Sequence, residues 1–393
     1  SSVNVTLSDN SALKLNGNGS LGDIKQSGSG TAAVLGGNNG TQTVGVVDVA
    51  TFKQVGGNVT TTGAITATEI NVNGVLNAGG NVTTSTLDVV GGAINAAGKD
   101  ITVSGSTAAK IFGDVEASSL SLSGGATIAG DADVKLGTLN LSGGKTLNVG
   151  RDGENGSTAT VFTDKLVIGA GSTIFVDPEY KKNAAILAAQ SLTDDAAKED
   201  TGIIKGSIFV GKNAAFGYGY DQANFESVMA NYLVDGKFAD PDENKGGYAN
   251  ALVLNKPVLV AKDQGIVVDY TKTANDLNTA PANKVELGKN SVLIVTDNAV
   301  ANGPANAYTA TVTADASAKI SLVGDFNAKS TDIKLFALDG SSGTLSITND
   351  MQVEALGGLV VGTLKAGANG TLAQLGLSDN AKTMAYAGVS RPV

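Results

Sequence analysis

The sequence predicts an all-β fold, a parallel β-helix (solenoid), and three observations lead to it. Short runs with an apolar residue at every second position follow one another along most of the 393 residues, which is the pattern of half-buried strands. Short blocks of sequence recur about twenty positions apart. Glycine is abundant, with 52 residues, whereas aromatic residues make up 5%, so small aliphatic side chains must fill a narrow interior.

Residues 1–174 are predicted to form β-helix throughout. This segment contains no proline and three aromatic residues, and Gly, Asn and Asp separate its apolar runs. Strands of three to five residues are too short to be stable alone, so each must stack on equivalent strands. The alternating apolar pairs and triplets are Val3, Val5 and Leu7; Leu13 and Leu15; Ile70 and Val72; Leu87 and Val89; Ile101 and Val103; Leu120 and Leu122; and Leu139 and Leu141.

Two repeats set the expected length of one turn. The block Gly-Gly-Asn-Val-Thr-Thr at 56–61 returns at 79–84, and Leu-Ser-Leu-Ser-Gly-Gly at 120–125 returns as Leu-Asn-Leu-Ser-Gly-Gly at 139–144. One turn of a parallel β-helix uses about twenty residues. Glycine suits the corners, where positive φ is needed, and asparagine there can pair its amide with an asparagine of the next turn.

Residues 175–270 are predicted to be an inserted small α+β subdomain, because 11 of the 18 aromatic residues and three of the six prolines fall there. Asn183 is predicted to begin a helix that runs through Ala197, where alanines favour helix. Asp221 is predicted to cap a second helix with one apolar stripe. That stripe consists of Phe225, Val228, Met229, Tyr232 and Leu233, and strands are predicted at Ile203–Ile204 and Ser207–Val210.

Residues 271–393 are predicted to continue the β-helix. The short alternating runs resume at 284–288, 291–295, 319–324 and 344–347. A β-sandwich, or several immunoglobulin-like modules, is the alternative for a glycine-rich all-β chain. Sandwiches usually have longer strands and a large ring in each core, and most of this chain lacks such rings.

The passage Ile-Asn-Val-Asn-Gly-Val-Leu-Asn-Ala-Gly-Gly at 70–80, with the Leu-Ser-Gly-Gly elements, resembles the passenger region of AIDA-type bacterial autotransporters. The resemblance covers most of the chain except 175–270. It implies a right-handed parallel β-helix at the bacterial cell surface or secreted, which attaches to host or matrix surfaces or to copies of itself in aggregation and biofilm formation. Passengers of this family cross the outer membrane through a C-terminal barrel. The chain is expected to be a passenger fragment without leader or barrel, linked to a membrane only through that absent barrel.

The composition excludes several kinds of chemistry. The chain has no His and no Cys, so Ser-His-Asp and Cys-His catalysis, zinc sites built from His and Cys, and disulfides are all excluded. A net charge of −10 and sparse Arg argue against nucleic acid as a partner, because phosphates require clustered cations. We expect no metal, no cofactor and no enzymatic activity.

Acidic residues leave one enzymatic alternative open. Two carboxylates such as Asp131 and Asp133 can act as acid and base without His, so an extracellular β-helical polysaccharide hydrolase or lyase remains an alternative. The acidic runs at 194–195, 199–200 and 240–244 are interpreted as solvated loops rather than calcium ligands, since no known calcium loop pattern appears. A structural surface-layer protein is the second alternative.

Two sets of residues are candidates for binding a host or matrix protein, a glycan or a second copy of the chain. The first set consists of tyrosines in the segment 175–270. They either form a binding face or pack as a small core that seals the insert. Gly217–Tyr220 is the expected exposed part, because Gly leaves both rings free to project. The second set consists of Asn and Thr residues of the segment 1–174. Their side chains either pair between molecules in a hydrogen-bonded stripe or cap turns within one chain. The first set is Tyr218, Tyr220, Tyr232 and Tyr248, and the second is Asn58, Thr60, Asn81 and Thr83.

Overall fold

The computed structural model describes most of the chain up to residue 296. The described residues are 2–153, 156–179, 183–240, 243, 247–256, 258–271 and 284–296, and after 310 the short strands named below together with Ala318. Contacts divide the chain into two compact units, residues 1–167 and 168–393.

Neighbouring strands pair in parallel, and their sheet is wound nearly closed around an axis. The fold is therefore a parallel β-helix, which confirms the predicted fold class. The right-handed winding implied by the resemblance stays a prediction.

The first unit consists of short strands joined by tight corners. Its strands are β1 (Val5–Leu7), β2 (Ala12–Asn16), β3 (Gly19–Ser20), β4 (Ile24–Gln26), β5 (Ala32–Gly37), β6 (Thr41–Val44), β7 (Val47–Gln54), β8 (Asn58–Thr61), β9 (Ile65–Ala78), β10 (Val82–Val103), β11 (Ala109–Ile111), β12 (Asp114–Leu122), β13 (Ala126–Ile128), β14 (Ala132–Leu141), β15 (Thr146–Val149) and β16 (Ala159–Ile168), which ends at the boundary with the second unit.

The pairings of the first unit form three faces, so each turn contributes three strand segments. Face A contains β1, β4 and residues 47–49, 65–67, 82–84, 100–104, 119–123 and 138–142. Face B contains β2, β5, residues 51–54, 69–72 and 86–89, and then β11, β13 and β15. Face C contains β3, β6, β8 and residues 75–78, 91–96, 114–117 and 133–136.

Aliphatic side chains stack inside the coil in columns that follow the register. On face A, Ile65 pairs with Val47 on one side and Val82 on the other, and Leu120 pairs with Ile101 and Leu139. All of these side chains are fully buried. Full burial of one such side chain contributes roughly 1.5–3 kcal/mol, so the repeated column is the main source of stability of the coil.

One of the two sequence repeats marks one turn of the coil, and the other does not. Leu120 and Leu122 pair with Leu139 and Leu141, 19 positions on, as the second repeat predicts. The first repeat is different, because Val59 pairs with Leu76 on face C whereas its repeat partner Val82 pairs with Ile65 on face A. The same turn sequence thus serves two different corners, and glycine is needed for different reasons. Gly57 has a φ of 62°, whereas a Cβ at Gly80 would lie 2.5 Å from the Ala64 backbone N.

The second unit has longer connections between its strands. It contains β17 (Thr173–Val176), β18 (Ala185–Thr193), β19 (Ile203–Ile204), β20 (Ser207–Val210), β21 (Ala214–Tyr218), α1 (Gln222–Met229), β22 (Asn250–Leu254), β23 (Leu259–Val260), β24 (Gly265–Val268), β25 (Lys284–Leu287), β26 (Ser291–Thr296), β27 (Thr311–Ala314), β28 (Lys319–Val323), β29 (Leu345–Ile347), β30 (Gln352–Ala355), β31 (Leu359–Val361), β32 (Leu364–Ala366), β33 (Leu375–Leu377), β34 (Met384–Tyr386) and β35 (Val389–Ser390).

Parallel columns also organise the second unit. One runs through β17, β20, β24, β25 and β27, and another through β18, β21, β22, β26, β28, β30 and β33. Further parallel pairings join β19 with β23 and β31 with β34, and link β29, β32 and β35. The strands predicted after residue 283 are confirmed at β25, β26, β28 and β29.

The helix predicted from Asn183 to Ala197 is wrong, because this segment forms strand β18. Ala185–Ala189 pairs in parallel with Ala214–Tyr218, and Leu187, Ala188 and Ala189 are buried. A strand covered on both faces needs an unbroken apolar run. The coil pairing therefore outweighs the intrinsic helix preference of alanine, which is small for each residue.

The other elements predicted inside 175–270 are confirmed. Strands β19 and β20 lie where expected, and α1 begins after its cap Asp221. β18, β20, β21, β22 and β24 belong to the parallel columns, whereas residues 219–249, between β21 and β22, contain the helix. The bounds of 175–270 as a separate domain stay a prediction.

Candidate functional site

A recurring contact between an Asn or Asp and a glycine links successive turns of the first unit. Asn4 Oδ1 accepts a hydrogen bond from the Asp23 backbone N–H (2.9 Å), and Asp23 Oδ1 accepts one from the Val46 N–H (2.9 Å). The residue before each donor is a glycine, Gly22 or Gly45, and the acceptor side chain occupies the space that a Cβ there would need. The Val46 N–H, followed by the Lys25 ammonium, lowers the pKa of Asp23.

Three of the four predicted polar binding residues are engaged within the chain. Asn58 Oδ1 accepts from Asn77 Nδ2 (2.8 Å), and Asn77 Oδ1 accepts from Asn95 Nδ2 (2.9 Å), which forms an amide ladder on face C. Asn77 Nδ2 also lies 3.4 Å from Thr60 Oγ1. On face A, Asn81 Oδ1 accepts from the Asp100 backbone N–H (3.1 Å). The hydrogen bonds of Asn58, Thr60 and Asn81 therefore lie within the chain and join successive turns, and pairing between molecules stays a prediction.

Faces B and C carry charged columns on the outside. On face C the charges lie at one end of the column, where Asn95 pairs with Glu116, which pairs with Lys135. The preceding positions of this column are uncharged: Ser20, Thr43, Thr60 and Asn77. Lys135 Nζ lies 2.9 Å from Asp133 Oδ2, and this contact raises the pKa of Lys135. The carboxylate of Asp133 is therefore paired with an ammonium rather than with Asp131. The column on face B contains Lys14, Val34, Lys53, Asn71, Asp88 and Lys110.

Face A differs, because its central part carries two uncharged columns of short polar side chains. Thr66 pairs with Thr83, and Ser121 pairs with Asn140. Thr102 pairs with Ser121. Thr102 also lies beside Thr83 of the preceding turn, because the backbone N–H of Ser104 donates to the Thr84 carbonyl (2.8 Å) and this bond fixes the register of the two strands. Two residues further on, the second column repeats this order. The first column is Thr66, Thr83, Thr102, Ser121 and Asn140, and the second is Thr68, Ser85, Ser104, Ser123 and Ser142.

These ten positions all face outward, and each is exposed or half-exposed, with Thr66, Thr68, Thr83 and Ser104 exposed. Thr83, the fourth predicted polar residue, lies in the middle of this region. Charged residues border this region on two sides. Asp48 pairs with Thr66 at the start of the first column, and Asp100 lies in the adjoining column, where its Oδ1 accepts from the Ser119 hydroxyl (2.7 Å). The ten positions are called the hydroxyl region below. A sequence pattern marks the hydroxyl region: two Thr or Ser residues flank one buried residue. This three-residue pattern returns every 17 to 19 positions, at 66–68, 83–85, 102–104 and 121–123.

The expectation that Gly217–Tyr220 projects its rings into solvent is wrong. Tyr218 is 2% exposed and Tyr220 is 5% exposed. A Cβ at Gly217 would lie 2.4 Å from the Phe225 ring. The missing side chain therefore lets the Phe225 ring pack against the backbone, and it does not leave Tyr218 and Tyr220 exposed. The Tyr220 and Phe225 rings meet edge to face, with centroids 6.2 Å apart.

The remaining aromatic candidates belong to the same packed cluster. Tyr232 is 7% exposed and Tyr248 is half-buried, with ring centroids 6.1 Å apart. Of the predicted helical stripe, Phe225 and Met229 are buried on α1, and Tyr232 lies after its end. The aromatic residues therefore form the small core that the sequence allowed as an alternative to a binding face.

Tyr218 anchors an ion-paired cluster that fixes the loop between β18 and β19. Its hydroxyl donates to Asp200 Oδ1 (2.7 Å), and Lys256 Nζ lies 2.6 Å from Asp200 Oδ2. Burial, followed by the Asp200 carboxylate, raises the pKa of Tyr218 above its ordinary range. In the same loop, Asp194 pairs with Lys198 and Lys205. Burial raises the pKa of Asp194, but the two ammonium groups outweigh it and hold the pKa below its ordinary value.

The described residues contain no cluster of three or more acidic side chains that is arranged to hold a metal ion. The acidic candidates Asp194 and Asp200 are held by lysines. Of the third acidic run, 240–244, Asp240 pairs with Lys212 (2.9 Å), Glu243 is described, and the other three residues lie outside the described residues. Within the part of the chain that the structure describes, no helix has the length and apolar character to cross a membrane.

Comparison of the chain with family models, with curated proteins and with solved structures finds no match.

Proposed function

We propose that the chain is a bacterial cell-surface adhesin passenger, whose function is to hold the cell to a host or matrix surface or to other cells. The observation that carries the proposal is the parallel register of the first unit, which places outward side chains in straight columns on three faces of different chemistry. Such a surface offers many weak polar contacts at a fixed spacing. Each contributes about 1 kcal/mol or less after exchange with water, and simultaneous engagement makes their sum effective.

The packing of the polar and aromatic groups supports a role in contact rather than in catalysis. Asp133, Asp194 and Asp200 are engaged by lysines. Tyr220 packs against Phe225, Tyr232 packs against Tyr248, and Tyr218 donates to Asp200. These groups stabilise the coil and its loops. The outer columns remain as the extended surface of the described chain.

The test combines three assays on the purified chain. Binding to arrays of glycans and matrix proteins, or self-association in sedimentation, is the expected result. Turnover of a polysaccharide that is lost on Asp131→Asn or Asp133→Asn would replace the proposal by the hydrolase or lyase alternative. Spontaneous assembly into a regular two-dimensional lattice would favour the surface-layer alternative, and binding to nothing in any assay would also contradict the proposal.

A further inference from the structure

We infer that the hydroxyl region of face A binds an extended neutral polysaccharide, with the sugar chain lying along the two columns. This inference rests on the proposed function and specifies the partner and the surface. Its basis is that face A carries two uncharged columns side by side over five turns, whereas the uncharged side chains in the middle of face C bond to one another and face B carries charges. The face C side chains are Asn58, Thr60, Asn77 and Asn95.

The geometry of the region fits a polymer rather than a small ligand. Five successive turns present one residue in each column, so the groups repeat about every 4.8 Å along the coil and the region is about 19 Å long. Within one turn the two columns are separated by two residues, or about 6.6 Å along the strand. The pairings Thr66 with Thr83 and Ser121 with Asn140 fix this spacing through the backbone.

The chemistry of the region selects a partner rich in hydroxyl groups. A Ser or Thr hydroxyl both donates and accepts, so it can pair with a sugar hydroxyl in either direction. The Ser104 hydroxyl already donates to the Thr84 carbonyl (3.1 Å) and can therefore only accept from a sugar. No charged side chain lies among the ten positions, and the charges that border them, Asp48 and Asp100, are carboxylates that repel an acidic polymer. The net charge of −10 opposes acidic polymers in addition.

A protein partner suits this region less well. Protein interfaces derive most of their affinity from a few Trp, Tyr and Arg side chains in desolvated pockets, and the ten positions contain only Thr, Ser and Asn. The same argument applies to a second copy of the chain that docks through this region. Many weak bonds made in register to a repeating partner supply affinity without such residues.

The test compares two double variants that change charge equally. Thr66→Glu with Thr83→Glu places two carboxylates on adjacent turns of the hydroxyl region. Thr41→Glu with Thr43→Glu places two at exposed positions of β6 on face C. The probes are cellulose, mannan and starch as neutral polysaccharides, and heparin and polygalacturonate as acidic ones.

The unmodified chain is expected to bind at least one neutral polysaccharide and neither acidic one. The face A variant should lose about tenfold or more in affinity, equivalent to about 1.4 kcal/mol, whereas the face C variant should stay within about twofold of the unmodified chain. Thermal unfolding establishes that both variants are folded. If the glutamates prevent folding, Thr66→Ala with Thr83→Ala removes the two hydroxyls without charge and should also weaken binding.

Several outcomes would overturn the inference. Equal loss in both variants, unchanged binding in the face A variant, or binding to acidic polysaccharides alone would each do so. Binding to matrix proteins or self-association without binding to neutral polysaccharide would refute the inference and leave the proposed function standing. Failure of the unmodified chain in every arm would refute both.

Discussion

At Gly45 the backbone carries no Cβ, and the carboxylate of Asp23 from the preceding turn fills that space. The same arrangement joins Asn4 to Gly22 and Asp9 to the segment around Gly28. In each case the side chain satisfies a backbone N–H at a corner of the coil, where the regular strand pairing is interrupted. Glycine is needed here because of close approach, and not because of positive φ.

Replacing Gly45 by Ala tests this contact. The new Cβ would lie 2.3 Å from Asp23 Oδ1 and 2.9 Å from the Asp23 backbone N, so the corner must shift. We expect the free energy of unfolding in urea to fall by about 1–3 kcal/mol, as for other overpacked sites. Gly19→Ala is the matched control, because the nearest atom to its Cβ is 3.8 Å away. A loss of equal size in both variants would contradict the argument.

The raised pKa of Tyr218 predicts a dependence of stability on alkaline pH. The ordinary value is about 10, and burial and Asp200 make the folded state retain the proton above it. The contribution of Tyr218 to the free energy of unfolding is complete below about pH 10. It declines as the pH rises further, because the unfolded chain then loses the Tyr218 proton before the folded chain does. Between neutral and strongly alkaline pH, the free energy of unfolding in urea should fall less for Tyr218→Phe than for the unmodified chain. An identical slope in both would refute the prediction.

At the scale of elements, the coil strands and the helix are stabilised in different ways. A strand such as β18 is held between parallel partners, and its alanines are buried. The helix α1 has eight residues, a length that is marginal alone in water. It depends on the packing of Phe225 and Met229 and on its cap, in which Asp221 Oδ1 accepts from the Asn224 N–H (2.8 Å).

Removal of the cap should loosen α1 without unfolding the coil. Asp221→Ala is expected to reduce the local stability of the helix by about 1 kcal/mol. Asp221→Asn should retain most of that stability, since its side-chain oxygen can still accept the bond. Hydrogen exchange of the amides of 225–229 is the measurement, and the amides of β21 are the internal reference. Equal acceleration in both elements would show that the cap does not act locally.

At the scale of the whole molecule, the coil behaves as a stack of turns that contact their neighbours in the first unit. Leu120 pairs with Leu139, and Ser119 pairs with Thr138. A turn can therefore be removed without changing which residues face inward, provided that the cut follows the register. Repeat proteins tolerate such changes because each repeat contacts only its neighbours.

Deletion of residues 119–137 should preserve the β-helix, because Thr138 and Leu139 then occupy the places of Ser119 and Leu120. Circular dichroism and cooperative thermal unfolding are expected to remain close to those of the unmodified chain. Deletion of 119–127, which removes about half a turn, is the control and should give an unfolded or aggregated protein, because the inward positions no longer match. Similar behaviour of the two deletions would contradict the turn assignment.

The sequence alone predicted the parallel coil, the 19-residue spacing of the turn from Leu120 to Leu139 and the cap at Asp221, because alternation, repetition and capping are local properties of the chain. It did not predict strand β18, the burial of Tyr218 or the hydroxyl region of face A. Each of these depends on which residues lie one turn away, and that is set by connections whose length varies from turn to turn. Tertiary pairing decided that Ala185–Ala189 forms a strand and that Thr66, Thr83 and Thr102 share one column, since only the closed coil brings them into register.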